Sequence, residues 1–117
     1  MDASLKPQAR KPNYSIKQSE TVVSGQDVQA RVMTLAPGQT IPWHYHSEIT
    51  DHYFVFNGSL MIETRSPEAT STLGIGDRHQ LVPGTAHRLS NRGLADCQFL
   101  LLQGVGRYDW INAEEAV

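Results

Sequence analysis

Cysteine is nearly absent from this chain: Cys97 is the only one, so no intrachain disulfide forms and nothing points to an oxidising compartment. No apolar run approaches the roughly 20 residues that cross a bilayer as a helix, and Met1 to Glu20 is polar with no apolar signal core. The expectation is a soluble cytoplasmic protein with no membrane partner. A surplus of positive charge is missing too: ten Lys and Arg stand against twelve Asp and Glu, a formal charge of −2. Binding along a phosphate backbone is therefore not expected, and nucleic acid is set aside as a partner. A helical signal is also lacking, since no window of eleven or more residues carries a convincing 3.6-residue apolar repeat.

What is present reads as all-β. The chain has 117 residues, 39% of them hydrophobic, which suits one compact domain with an ordinary core. The first twenty residues, with Lys6, Arg10, Lys11 and Lys17 and almost no large apolar side chain, read as a polar N-terminal arm (1–20) ahead of a β-barrel domain (21–117). Strands are expected at Thr21–Ser24, Val28–Leu35, Asp51–Phe56, Ser59–Thr64, Arg78–Val82, Ala86–Ser90 and Asp96–Gln103. Between them lie Ser24-Gly25, Pro37-Gly38, Asn57-Gly58, Gly74 with Gly76, Pro83-Gly84 and Asn91-Arg92-Gly93, all turn chemistry. Asn57-Gly58 is the strongest hairpin signal, because both residues tolerate the positive φ angles of a tight two-residue loop. Short strands at this spacing predict a sandwich or barrel. From Cys97 to Leu102 apolar residues fall on both alternating faces. A second sheet on one side and a subunit partner on the other would cover them, which makes a homodimer the expectation.

The chemistry concentrates in the histidines. In Trp43-His44-Tyr45-His46 successive strand residues point to opposite faces, so His44 and His46 share a face with Cα atoms about 6 to 7 Å apart. Two imidazoles at that separation can converge on one metal ion. Asp51 follows five residues after His46, far enough for the chain to turn back and add a carboxylate. A mixed imidazole and carboxylate set suits one divalent transition metal, Fe, Mn, Ni or Zn, and the missing thiolate disfavours a structural zinc site. A second stretch, Gly76 to His87 followed by Asn91, places another histidine just after the rigid Pro83-Gly84 turn.

These two stretches together resemble the two motifs of the cupin superfamily, in particular its small single-domain microbial members. The first runs Gly38, His44, His46, Asp51, Gly58, with Asp51 where the family pattern has Glu. The second runs Gly76, Gly84, His87, Asn91 at the family spacing, with Val82 at the place of the usual proline and Pro83 one position later. Seventeen residues lie between the motifs, and the likeness covers Gly38 to Asn91. It implies a double-stranded β-helix, or jelly roll, that holds a divalent metal inside. His44, His46 and His87 would be the imidazole ligands. Asp51 would stand in the carboxylate position one methylene short, ligating directly, through water or not at all.

Other residues are weighed against plainer roles. Tyr53 and Val55 share parity with Asp51 and should face inward, while Phe54 and Phe56 face outward. Tyr53, Met33, Met61 and Phe99 are the candidates to line a pocket for a small molecule, although each also suits the core. Arg31, Arg78 and Arg88 are candidates to clamp an anion, against the plainer reading of solvated arginines. His52 and His79 read as surface histidines, and Cys97 as a small buried hydrophobe. The expected function is metal-dependent binding of a small polar molecule, with dioxygenase or isomerase/lyase chemistry on a carbonyl or sugar-like substrate. The rival reading is a non-catalytic ligand-binding or sensing cupin.

Overall fold

The computed structural model describes residues 14–114, and among these there is no helix. Ten strands form in chain order: β1 (Gln18–Ser24), β2 (Val28–Leu35), β3 (Thr40–Tyr45), β4 (Thr50–Asn57), β5 (Leu60–Arg65), β6 (Glu68–Leu73), β7 (Arg78–Leu81), β8 (His87–Ser90), β9 (Cys97–Gly104) and β10 (Ile111–Asn112). They make two five-stranded sheets, β1-β2-β9-β4-β7 and β10-β3-β8-β5-β6, antiparallel at every pairing. Consecutive strands repeatedly change sheet, as in a jelly roll. The seven expected strands are all present. β6 escapes the sequence pattern because it is an edge strand whose side chains face water, so it carries no apolar alternation.

Two expectations are corrected. β1 begins at Gln18, so the last three residues of the expected arm belong to the sheet, and Tyr14 and Ile16 pack against the core. The rest of the arm, residues 1–13, lies outside the described residues. Asn57-Gly58 is not a hairpin loop, because β4 and β5 belong to different sheets; it is the corner where the chain crosses between them. Gly58 has φ +73°, and a Cβ there would sit 2.4 Å from the Asp96 carbonyl oxygen and 2.9 Å from Cys97 Cα. The Asn-Gly signal therefore reports a left-handed backbone pressed against the start of β9, a need that a hairpin and a corner share. The tight hairpin is β5–β6, where Arg65 pairs with Glu68 across Ser66-Pro67.

The interior of the first sheet is graded along its strands. Register across β2, β9 and β4 aligns Leu35 with Cys97, then Met33 with Phe99 and Val55, then Arg31 with Leu101 and Tyr53, and finally Gln29 with Gln103 and Asp51. All share one parity and point between the sheets. The core thus runs from wholly apolar at one end to polar at the other. Leu60, Ile62 and Leu89 close the apolar end from the opposite sheet, each 1% exposed or less. The opposite face of β9 carries Gln98, Leu100 and Leu102, each half-buried beside Phe54.

Candidate metal centre

At the polar end three histidines meet. His44 on β3 and His87 on β8 are cross-strand partners, and His46 follows directly after β3. Between Ile41 and His44 the β3–β8 register is irregular, which lets both face inward although they are three residues apart. The Pro83-Gly84 turn, with Gly84 at φ +83°, donates its Gly84 N–H to the His46 carbonyl at 2.8 Å. That bond ties the second motif to the first, and the shift from Val82 to Pro83 leaves it intact. Asn91, fully buried, donates to the carbonyls of Leu35 and Ala95, so its work is to hold backbone.

Each imidazole is oriented by a backbone carbonyl. His44 Nδ1 donates to Pro42 O at 2.7 Å, His46 Nδ1 to Asp109 O at 2.5 Å, and His87 Nδ1 to Thr85 O at 2.8 Å. A carbonyl only accepts, so in every neutral ring the hydrogen sits on Nδ1 and Nε2 presents a lone pair. The three candidate ligand atoms all lie within 4.8 Å of one another, and all three residues are buried.

Asp51 completes the cluster from β4. Its Oδ2 lies 3.2 Å from His87 Nε2 and 3.5 Å from His46 Nε2, and accepts a hydrogen bond from the Tyr53 hydroxyl at 2.7 Å. Its Oδ1 accepts from Gln103 Nε2 at 2.9 Å. Although one methylene shorter than Glu, the carboxylate is carried by β4 to within 3.5 Å of two of the three rings. Nε2 of His46 and of His87 is buried without a hydrogen-bond partner. With the rings neutral, lone pairs of two rings and a carboxylate facing one another across 3.2–3.5 Å repel; a cation among them, a metal ion or a proton, reverses the sign. Neighbouring ligand atoms around an ion with bonds of roughly 2.1 Å stand about 3 Å apart, close to the 3.2 and 3.5 Å that separate Asp51 Oδ2 from the Nε2 atoms of His87 and His46. The residues present fit a divalent transition metal.

Electrostatics follow from burial and contact. Burial, with the nearby His87 ring adding to it, pushes the His44 pKa down to about 3. Burial also opposes charge on His46, but the Asp51 carboxylate outweighs it and raises that pKa. For Asp51 burial favours the neutral acid, yet the rings of His46 and His87 hold it well below the usual carboxylate range. Tyr53 is raised well above an ordinary phenol by burial and by Asp51, so its hydroxyl stays a donor to that carboxylate.

The cluster opens into a cavity of about 60 Å³ whose walls include Met33, Tyr53, Arg31, Leu101 and Gln103. Of the four expected pocket residues the structure brings Met33 and Tyr53 to it and not the others. Met61 is corrected: it pairs with Thr72 and Ser90 and points away from the interior, which is filled from β5 by Leu60 and Ile62. Phe99 is corrected too. It has the right parity and shares a row with Met33, but it is a fully buried core residue beside Tyr53, with ring centroids 6.2 Å apart, and does not line the cavity. Arg88 pairs with Glu63 through two bonds of 2.8 and 3.0 Å, away from the cavity, and Arg78 is exposed. Trp43 lies under the Arg65 guanidinium at 4.0 Å. Cys97 is fully buried, its pKa raised by burial to about 11, as an inert thiol should be.

Several lining residues escape the sequence reading. Trp110 stacks on His44 with centroids 3.6 Å apart and planes 6° off parallel, and Tyr14 stacks on Trp110. Tyr108 leans on His46 at 5.3 Å, and the Asp109 carboxylate holds the Ser47 N–H. The segment after β9 thus forms one wall, carried there by long-range folding that leaves no local pattern. Gln103 was legible, as the polar residue that continues the inward row Cys97, Phe99, Leu101.

Two sheets rolled into a double-stranded β-helix, with three histidines and an aspartate at one end, define the class. The sequence matches the cupin domain family over residues 31–115, and the chain belongs to that family. No curated protein is similar enough in sequence to count as a relative. Among solved structures, an uncharacterised conserved protein with a double-stranded β-helix domain from Klebsiella pneumoniae has 24% identity and a TM-score of 0.73, covering 86% of each chain. KdgF from Halomonas sp. has 20% identity and a TM-score of 0.68 over 77% of this chain and 79% of its own. Recombinant oxalate oxidase in complex with glycolate has 19% identity and a TM-score of 0.66, over 74% of this chain but 46% of that one. Likeness at these identities establishes the shared fold.

Proposed function

We propose that the chain is a metal-dependent cupin in which His44, His46, His87 and Asp51 hold one divalent transition metal, Fe, Mn, Ni or Zn, and that a small polar molecule binds at the metal. One observation carries this reading: three buried rings, each turned by a carbonyl so that Nε2 faces inward, share a centre with a buried carboxylate. Four protein ligands leave room for exchangeable ones, which suits substrate binding better than a closed structural site. When bound, such an ion supplies Lewis acidity and, if redox-active, oxygen chemistry, so dioxygenase or isomerase/lyase activity on a carbonyl or sugar-like substrate belongs to the proposal. The chain's own part is orientation and exclusion of water: Tyr53 and Gln103 fix the Asp51 carboxylate, and Tyr108 and Trp110 wall the rings from solvent.

Assembly as a homodimer through the outer face of β9 and β4, in the cytoplasm, completes the proposal. The half-buried apolar row of Leu100, Leu102 and Phe54 and the exposed Phe56 support the dimer. Elemental analysis of protein purified without an imidazole column should find about one metal per chain in the wild type and none in His44→Ala or His87→Ala. Failure of the wild type to take up any of the four metals overturns the reading. Metal uptake with saturable ligand binding, yet no product from dicarbonyl, catechol or uronate substrates, favours the sensing role.

A further inference from the structure

Arg31 is the one cationic side chain lining the cavity among the described residues, and it is incompletely used. It projects from β2 in the row next to Asp51. Its Nη2 donates to Gln103 Oε1 at 2.9 Å, an oxygen that also accepts from Gln29 Nε2 at 2.7 Å. Gln103 passes its own Nε2–H to Asp51. Among the described residues no carboxylate pairs with Arg31 directly, whereas Arg88 and Arg107 are matched to Glu63 and Glu48. Its Nε is buried with no hydrogen-bond partner. A buried guanidinium donor without an acceptor is costly unless a ligand supplies one. The free Nε–H beside an Nη–H is the fork that matches the two oxygens of a carboxylate.

Charge points the same way. With the histidines neutral, the cavity walls contribute one positive charge, Arg31, and one negative, Asp51, which cancel. The charge of any divalent ion held there is then left uncompensated by the cavity walls, and a neutral ligand does nothing to correct that. Size is consistent with a compact ligand: about 60 Å³ accommodates about four waters at roughly 15 Å³ each.

We infer that the cavity takes a compact organic anion, a short-chain carboxylate bearing a neighbouring oxygen donor, whose carboxylate is gripped by Arg31. The metal side of this picture rests on the reading above, but the arginine side stands on its own. Glycolate and glycolamide, alike in shape and different in charge, are the probes. By calorimetry, zinc-loaded wild type should bind glycolate about tenfold or more tightly than glycolamide, the effect of one charge-assisted bond. Arg31→Gln should erase that preference while leaving zinc stoichiometry unchanged. Arg31→Lys, which keeps the charge but loses the fork, should retain part of it and serves if the glutamine variant does not fold. Equal affinities in the wild type, or a preference that survives in Arg31→Gln, overturn the inference. A wild type that takes up no metal overturns the metal reading only. The anion is then read in metal-free protein from the Arg31 side-chain N–H resonance: a shift with glycolate and none with glycolamide supports Arg31, and no shift with either refutes it.

Discussion

Gly38 and Gly58 occupy equivalent-looking places in the first histidine motif, yet the structure gives them different reasons to be glycine. Both lie in the left-handed region, at φ +87° and +73°. An alanine at either position takes on the backbone strain of that region, about 1–2 kcal/mol. At Gly38 nothing lies within 4 Å of the added methyl group, so the cost ends there. At Gly58 the methyl meets the Asp96 carbonyl at 2.4 Å and Cys97 Cα at 2.9 Å, both backbone where the chain enters β9, the strand in the middle of its sheet. Backbone cannot rotate aside, and overpacking of this kind adds about 1–3 kcal/mol. Gly58→Ala should therefore destabilise by about 2–5 kcal/mol and Gly38→Ala by about 1–2. Thermal unfolding followed by circular dichroism resolves the two, because 1 kcal/mol moves the midpoint of a domain of about this size by roughly 4 °C or more. Equal midpoints for the two variants would show that the crossing between sheets is looser than described and would remove the steric half of the argument.

Asp51→Ala should keep measurable metal binding through the three histidines but weaken it by about 10-fold or more; unchanged affinity in a competitive chelator titration would make Asp51 a bystander. In metal-free protein His44 is held neutral, at about 3 against 6.5. Its folded value being depressed, its contribution is present above 6.5 and fades as the pH falls. Between pH 7 and 5 that loss is about 2 kcal/mol. The raised His46 works in the opposite sense, stabilising below 6.5 and losing its contribution as pH rises through its folded value. Denaturant unfolding in chelator should show a pH 7-to-5 loss about 2 kcal/mol smaller in His44→Asn than in the wild type, and identical slopes would contradict the burial argument. Trp110→Ala exposes one face of His44 and should leave metal stoichiometry intact while speeding metal release to a chelator several-fold; an unchanged release rate would show that the ring does not screen the site.

The sequence announces this fold well where a residue's neighbours along the chain decide its place. Alternation alone puts Asp51, Tyr53 and Val55 on the inner face of β4 and His44 with His46 on one side, and the structure agrees. Turn residues mark the breaks correctly, but Asn57-Gly58 specifies a backbone angle and not which sheet the next strand joins. Depth is likewise invisible to alternation. Phe99 and Leu101 share parity on one strand, yet Leu101 lines the cavity while Phe99 stops in the core, and even the strand register does not sort them, because Met33, the partner of Phe99, lines the cavity too. Met61 illustrates a parity choice that sequence leaves open, because Leu60, Met61 and Ile62 are all apolar. Arg31 could be sorted from Arg78 and Arg88 only by seeing which one faces inward. The wall formed by Tyr14, Tyr108 and Trp110 comes from segments that flank the barrel strands and meet the histidines solely through tertiary folding.

The near-parallel contact of the Trp110 indole with His44 makes the site report on itself. Of the two tryptophans, Trp43 packs beneath Arg65 and only Trp110 stacks on His44. An ion drawing electron density from the His44 ring changes the excited state of the indole lying against it. Arrival and departure of the metal can thus be followed by the light this unlabelled protein emits, at the concentrations and speeds of a stopped-flow instrument.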